Sequence, residues 1–272
     1  MKTRIISAVI ATLIFLPFLI FSDTIAFPAI MAFAACLGTY EMLRCLDKKH
    51  VLILFPSILY ASLLPLCARI YGNEQAFFNF AHKMFVVYIF YLVIIAVFSK
   101  GEIDVRDMAM VAITITFITN GLASIVLLRD YEYGKFIYLL VFICPWMTDI
   151  FAYFTGYFFG KHKLIPDVSP KKTVEGAIGG VITDVLLMFV ACLIFHEITG
   201  KTANLITILC ATPFLALAGM MGDLIFSYIK RDCGIKDYGK LMPGHGGVLD
   251  RFDSVAVVAP LVYLVVEHLP MV

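Results

Sequence analysis

Apolar residues along this chain come in long runs, broken by short clusters of charge, glycine and proline. A helix needs about 20 apolar residues to cross a bilayer. Runs of that size predict nine spans, near 5–21, 25–42, 51–68, 84–98, 109–128, 136–160, 174–195, 203–226 and 252–266. The fourth and ninth are short. The first, Ile5–Phe21 behind Met1-Lys2-Thr3-Arg4, has the outline of a signal peptide, but no clean A-x-A site follows it. An uncleaved first helix is expected.

Composition agrees with the pattern. Of 272 residues, 61% are hydrophobic and 15% charged, and the mean hydropathy is +0.94. A soluble domain averages roughly half apolar and a quarter charged, so this chain could not hide its apolar surface in water. The expected class is an all-α, polytopic integral membrane protein with about nine transmembrane helices. Seven cysteines are scattered singly without C-x-x-C or zinc-like spacing, and they read as small hydrophobes.

The formal charge of +1 hides an asymmetry. With the N-terminus cytoplasmic, 16 of the 21 Lys and Arg fall on the cytoplasmic side. The positive-inside rule therefore predicts N-terminus in and C-terminus out. It also puts loops 161–173 and 227–250 on the face where a nucleotide is available.

Acidic residues inside spans cost about 2.5–3.5 kcal/mol each, so each needs a partner or a purpose. The first five spans carry almost none; Glu41, near the end of the second, is not assigned to a site. Asp149, Asp184 and Asp223 fall in spans six to eight, and Asp250 and Asp253 open span nine. The expected organisation is residues 1–133 as scaffold or lipid-facing helices and 134–272 as the catalytic region. Asp223, Ser227 and Lys230 share one helical stripe, and Asp250 and Asp253 share another. Converging carboxylates would repel without a cation between them, and oxygen-only ligands suit Mg²⁺. Ion pairs of Asp223 and Asp250 with Lys230 and Arg251 fit the spacing equally well.

Between these helices lie glycines at 234, 239, 244, 246 and 247, surrounded by Lys230, Arg231, Lys236, Lys240 and Arg251. Glycines let backbone N–H groups approach an anion, and cations neutralise phosphates, which fits a polyphosphate site. In the second loop, Ser169-Pro170-Lys171-Lys172-Thr173 precedes span seven, whose N-terminal amides and dipole would favour a phosphate. Ala152, Gly156 and Gly160 form a small-residue stripe for close helix packing.

The stretch Ser227-Tyr-Ile-Lys230-Arg231-x4-Lys236-Asp237-x-Gly239-x2-Met242-Pro243-Gly244-His245-Gly246-Gly247-Val-Leu-Asp250-Arg251-Phe-Asp253 resembles the signature of phosphatidate cytidylyltransferases, the CDP-diacylglycerol synthases. Met242 stands where Leu, Ile or Phe is expected. A second block, Asp149-x2-Ala152-Tyr153-x2-Gly156-x3-Gly160-Lys161-x-Lys163-Leu164-x-Pro166-x2-Ser169-Pro170-Lys171-Lys172-Thr173-x-Glu175-Gly176, looks like the bacterial members. The resemblance implies a nine-span homodimer in a bacterial inner membrane, with a divalent-metal site (Mg²⁺) that a monovalent cation such as K⁺ could assist. It implies transfer of the cytidylyl group of CTP to phosphatidic acid.

On that reading Asp223 and Asp250 hold the metal, with Asp253 a lesser candidate. Lys230, Arg231, Lys236, Arg251 and the turn containing Ser169, Lys171, Lys172 and Thr173 bind phosphates. Gly244, His245, Gly246 and Gly247 approach them, and Ser227 and Asp237 complete the substrate-binding set. Membrane lipids and the two substrates are the expected partners, and no nucleic acid is. A secondary transporter is the competing class, but its sites sit at the midplane between repeated halves, whereas the acids here crowd one half. The D-G-x2-A-R…G-x3-D-x3-D pattern of CDP-alcohol phosphotransferases is absent.

Overall fold

The computed structural model describes residues 17, 19–47, 50–71, 74–99, 103–241 and 246–270, so most of the predicted first span lies outside the described residues. The predicted spans from the second to the ninth correspond to eight helices: α1 (Ala26–Cys45), α2 (Val51–Ile70), α3 (Glu74–Phe98), α4 (Val105–Asp130), α5 (Gly134–Phe159), α6 (Val174–Thr199), α7 (Leu205–Asp232) and α8 (Leu249–His268). Helices α1 to α7 are long and apolar enough to cross a bilayer. The 20-residue α8 differs in composition, because its first turns carry Asp250, Arg251 and Asp253. Among the described residues the fold is all-α apart from one small feature. Loop 161–173 contains an antiparallel hairpin of β1 (Lys163–Ile165) and β2 (Ser169–Thr173), in the register Lys163 to Thr173 and Ile165 to Ser169.

Local chemistry explains where these elements begin and end. Asp104 and Asp107 form a reciprocal capping box at the start of α4, satisfying amides the helix cannot. Thr173 caps α6, its hydroxyl accepting the Gly176 N–H at 3.1 Å, and Gly200 ends that helix at φ +70°. Within the hairpin, Val168 N–H donates to the Ile165 carbonyl at 3.3 Å, closing a β-turn over Pro166 and Asp167. Proline pre-sets the backbone angle that the second position of such a turn requires.

The chain divides into two compact units: Met1–Tyr131 with Cys233–Phe252, and Glu132–Asp232 with Asp253–Val272. In the first, α4 is central, with 67% of its most apolar stretch buried, and α3 is peripheral at 11%. Met31, Met42, Ile53, Leu64, Ile115 and Leu122 form the core between α1, α2 and α4. Apolar side chains on the outside, such as Phe55 and Phe90, suit a surface bathed in lipid. Polar groups collect at two opposite ends of this unit. At one, the Arg69 guanidinium pairs with Asp130 and donates to the carbonyls of Thr24 (2.6 Å) and Ser22 (2.9 Å). At the other lie Glu41 and the loop that leads into α8. Thr24 lies just before α1 and Glu41 in its later turns, and 17 residues at 1.5 Å each put them about 25 Å apart along it, close to a hydrocarbon thickness.

In the second unit α5 and α6 are the most closely packed helices. A Cβ on Gly176 would stand 2.5 Å from the Ala152 carbonyl oxygen and 3.3 Å from the Gly156 Cα. Ala152 and Gly156, two of the predicted stripe, thus face Gly176, and the backbones meet because neither glycine has a side chain.

Candidate active site

A cleft of about 270 Å³ opens in the second unit, walled by Asp149 and Tyr153 of α5, Ser169, Lys171, Lys172 and Thr173 of β2, and Asp223 of α7. The hairpin sets its shape. Glu175, in the first turn of α6, accepts the N–H groups of Lys161 (3.1 Å) and His162 (3.2 Å) and pairs with the His162 ring at 2.6 Å. Val174 N–H donates to the His162 carbonyl at 3.0 Å. Both ends of the hairpin are thereby tied to the start of α6, and β2 presents its lysines to the cleft.

Lys172 carries the charge balance of this cleft. Its ammonium lies 2.6 Å from Asp223 Oδ2 and 3.8 Å from Asp149 Oδ1, as an ion pair rather than an aligned hydrogen bond. Asp253 is buried; its Oδ1 accepts the Ser254 N–H at 2.8 Å, and its electrostatic neighbours are Asp223, Lys230 and Asp149. Lys230 is itself buried, Ser227 is half-buried and Arg231 is exposed. The second unit thus brings together Asp223, Asp253, Lys172 and Lys230 of the predicted site, and adds Asp149. These carboxylates offer oxygen donors alone, the chemistry a hard divalent cation takes. Among the described residues, no three His, Cys, Asp or Glu side chains already converge as a metal-binding group.

The predicted residues between Cys233 and Phe252 belong to the first unit. Lys236, Asp237 and Arg251 are exposed, whereas Gly247 and Asp250 are buried. Gly244 and His245 lie outside the described residues, and Gly246 adopts φ +83°. Asp250 Oδ2 accepts two backbone N–H groups, from Tyr238 and Gly247, both at 2.9 Å. One carboxylate oxygen thus ties the backbone at Tyr238 to that at Gly247. Beside it, Glu41 of α1 accepts the N–H groups of Val248 (Oε1, 3.1 Å) and Leu249 (Oε2, 2.8 Å).

Two residues had little signal in the sequence. Asp149 stands in the second motif block, but its tie to Lys172 depends on the hairpin. Glu41 is an acid near a helix end, ordinary in sequence and buried in the structure. Asp184, also buried, accepts from the Thr148 hydroxyl between α5 and α6.

The fold and cleft define a helical membrane protein whose second unit sets carboxylates beside lysines. Residues 2–269 match the model of the Cytidylyltransferase family, and the chain belongs to that family. It is 35% identical over 262 residues to the phosphatidate cytidylyltransferase of Staphylococcus haemolyticus, covering 96% of this chain and 97% of that protein. The phosphatidate cytidylyltransferase of Bacillus subtilis is 32% identical over 268 residues, covering 97% and 96%.

Proposed function

We propose that this chain transfers the cytidylyl group of CTP to phosphatidic acid, releasing pyrophosphate and leaving CDP-diacylglycerol in the membrane. The observation that carries the reading is near full-length similarity to proteins of that name; the cleft of carboxylates, lysines and a helix N-terminus supports it. A phosphate oxygen of phosphatidate attacks the α-phosphorus of CTP. The bond from that phosphorus to the bridging oxygen breaks, and pyrophosphate leaves with the electron pair. A phosphomonoester's second pKa is about 6, so the nucleophile is largely ionised at neutral pH and no strong base is required. What the protein must supply is the meeting of two polyanions and stabilisation of the leaving charge.

Lys171, Lys172, Ser169 and the first amides of α6 are assigned to phosphate binding. Lys230, Arg231, Lys236 and Arg251 add cationic contacts, and Gly244–Gly247 with His245 bring backbone N–H groups to the nucleotide. Ser227 and Asp237 complete the substrate contacts. Asp223 and Asp253 would hold Mg²⁺, and Asp250 keeps its place in that set on the sequence pattern. Bound there, the ion would neutralise phosphate oxygens and the developing charge on pyrophosphate. The same proposal makes the protein a homodimer of a bacterial inner membrane with its N-terminus and site cytoplasmic. The Lys and Arg distribution supports the orientation.

Purified protein in detergent, given CTP, phosphatidic acid and Mg²⁺, should form CDP-diacylglycerol and pyrophosphate in equal amounts. Asp223→Ala and Asp250→Ala should each abolish this while the protein still inserts. Wild-type-like turnover by either purified variant would remove it from the metal set. No turnover by the wild-type protein in micelles, where there are no compartments to transport between, would overturn the reading as an enzyme.

A further inference from the structure

Glu41 lies on α1, more than 200 residues before the Val248 and Leu249 amides it touches, and only 7% of its surface is exposed. A carboxylate at that depth needs donors. It takes two, the N–H groups of Val248 and Leu249 at 3.1 and 2.8 Å. These amides stand at the N-terminus of α8, where the helix supplies no partner for them and its dipole favours negative charge. The backbone at Gly239 and Gly247 lies close against the carboxylate. A Cβ on Gly247 would have Oε1, Oε2 and Cδ of Glu41 as its three nearest neighbours, all closer than real side-chain contacts come. A Cβ on Gly239 would also collide with Oε1. Asp250 Oδ2 gathers Tyr238 and Gly247 from the other side. Two carboxylates therefore hold the backbone at Tyr238 and at Gly247–Leu249, Asp250 from the same stretch of sequence and Glu41 from α1.

We infer that Glu41 is a positioning residue for nucleotide binding. It fixes the backbone at Gly247–Leu249 so that these amides are held in place before the triphosphate of CTP arrives. The inference rests on the functional reading above. It gives α1 a part in substrate recognition that a scaffold helix would not have.

The test uses the full-length protein in micelles, comparing wild type with Glu41→Gln, Glu41→Asp and Glu41→Ala. Glutamine keeps one acceptor oxygen but turns an amide NH₂ toward the second N–H. Losing a charge-assisted pair of bonds should raise the KM for CTP about tenfold in Glu41→Gln and further in Glu41→Ala. Glu41→Asp, which keeps the charge on a shorter stem, should fall between wild type and Glu41→Gln. The KM for phosphatidic acid and kcat should stay within about threefold, since the remaining contacts are unchanged. Gly247→Ala should raise the CTP KM steeply in the wild-type background and add little in Glu41→Ala, because the colliding carboxylate is then gone. Hydrogen exchange without substrate should quicken about tenfold over 246–250 in Glu41→Gln and stay unchanged over 208–222. If Glu41→Ala does not accumulate, Glu41→Gln decides.

A CTP KM within about twofold of wild type in Glu41→Gln overturns the inference, even if exchange quickens. So does equal loss of both KM values and kcat, the sign of a general structural defect. Wild-type protein that turns over no CTP defeats the functional reading and this inference with it; the exchange data then report separately on whether Glu41 anchors the loop.

Discussion

Lys172 shows how one side chain can organise a site. Its ammonium stands between Asp223 and Asp149 at 2.6 and 3.8 Å. Unit charges about 4 Å apart at an effective dielectric of 20 attract by roughly 4 kcal/mol before desolvation is counted. Asp149 is 46% exposed and Asp223 23%, so solvent screens much of that attraction. Lys172→Met should therefore cost only about 1 kcal/mol of stability, read as a small fall in melting temperature in detergent. Its kcat/KM should fall at least about a hundredfold, because two carboxylates would then face the incoming phosphates without a cation. Asp184→Asn should keep activity within about tenfold, since its bond to Thr148 holds two helices and does not line the cleft. Equal losses in both variants would mean that the cleft has no special standing. Asp223, Lys171 and Lys172, which line the cleft, stood out in the sequence because chemistry-bearing residues recur there at fixed spacing. Glu41 and the tie between Asp149 and Lys172 were not, because each pairs with a residue that only the folded chain brings near.

Among the elements, the helices were the most legible part. Apolar runs of bilayer length leave a chain few alternatives, because an unpaired backbone group in hydrocarbon costs several kcal/mol. The hairpin was not legible. Its strands of 3 and 5 residues are too short to show a two-residue period, and they are rich in Lys, Ser and Pro. The contact of α5 with α6 was half legible: the stripe Ala152-x3-Gly156 announces close packing but not its partner, Gly176. Gly176→Val should disrupt that contact, with the new side chain driven against the Ala152 carbonyl. Overpacking of this kind costs about 1–3 kcal/mol or more, so a clear drop in melting temperature is expected. A melting temperature equal to wild type would show that α5 and α6 do not approach so closely.

For the molecule as a whole, sidedness joins sequence to function. Within the first unit, the ends carrying Arg69, Asp130 and Thr24 lie together, as do those carrying Glu41 and Leu249. That is the alternation expected of antiparallel spans, and in the proposed orientation, which rests on the Lys and Arg count, the Glu41 end would face the cytoplasm. Alkaline phosphatase fused after Lys240 should be inactive in a Gram-negative host, and fused at the C-terminus it should be active. The reverse pattern would put the glycine-rich segment on the side without CTP. The central claim is that this chain joins the α-phosphorus of CTP to a lipid phosphate, and the fate of two labels tests it most directly. With purified protein, CTP labelled at the α-phosphate should carry its label into the lipid, and CTP labelled at the γ-phosphate should release it as pyrophosphate. Label from the γ-phosphate in the lipid, or label from neither, would contradict the account.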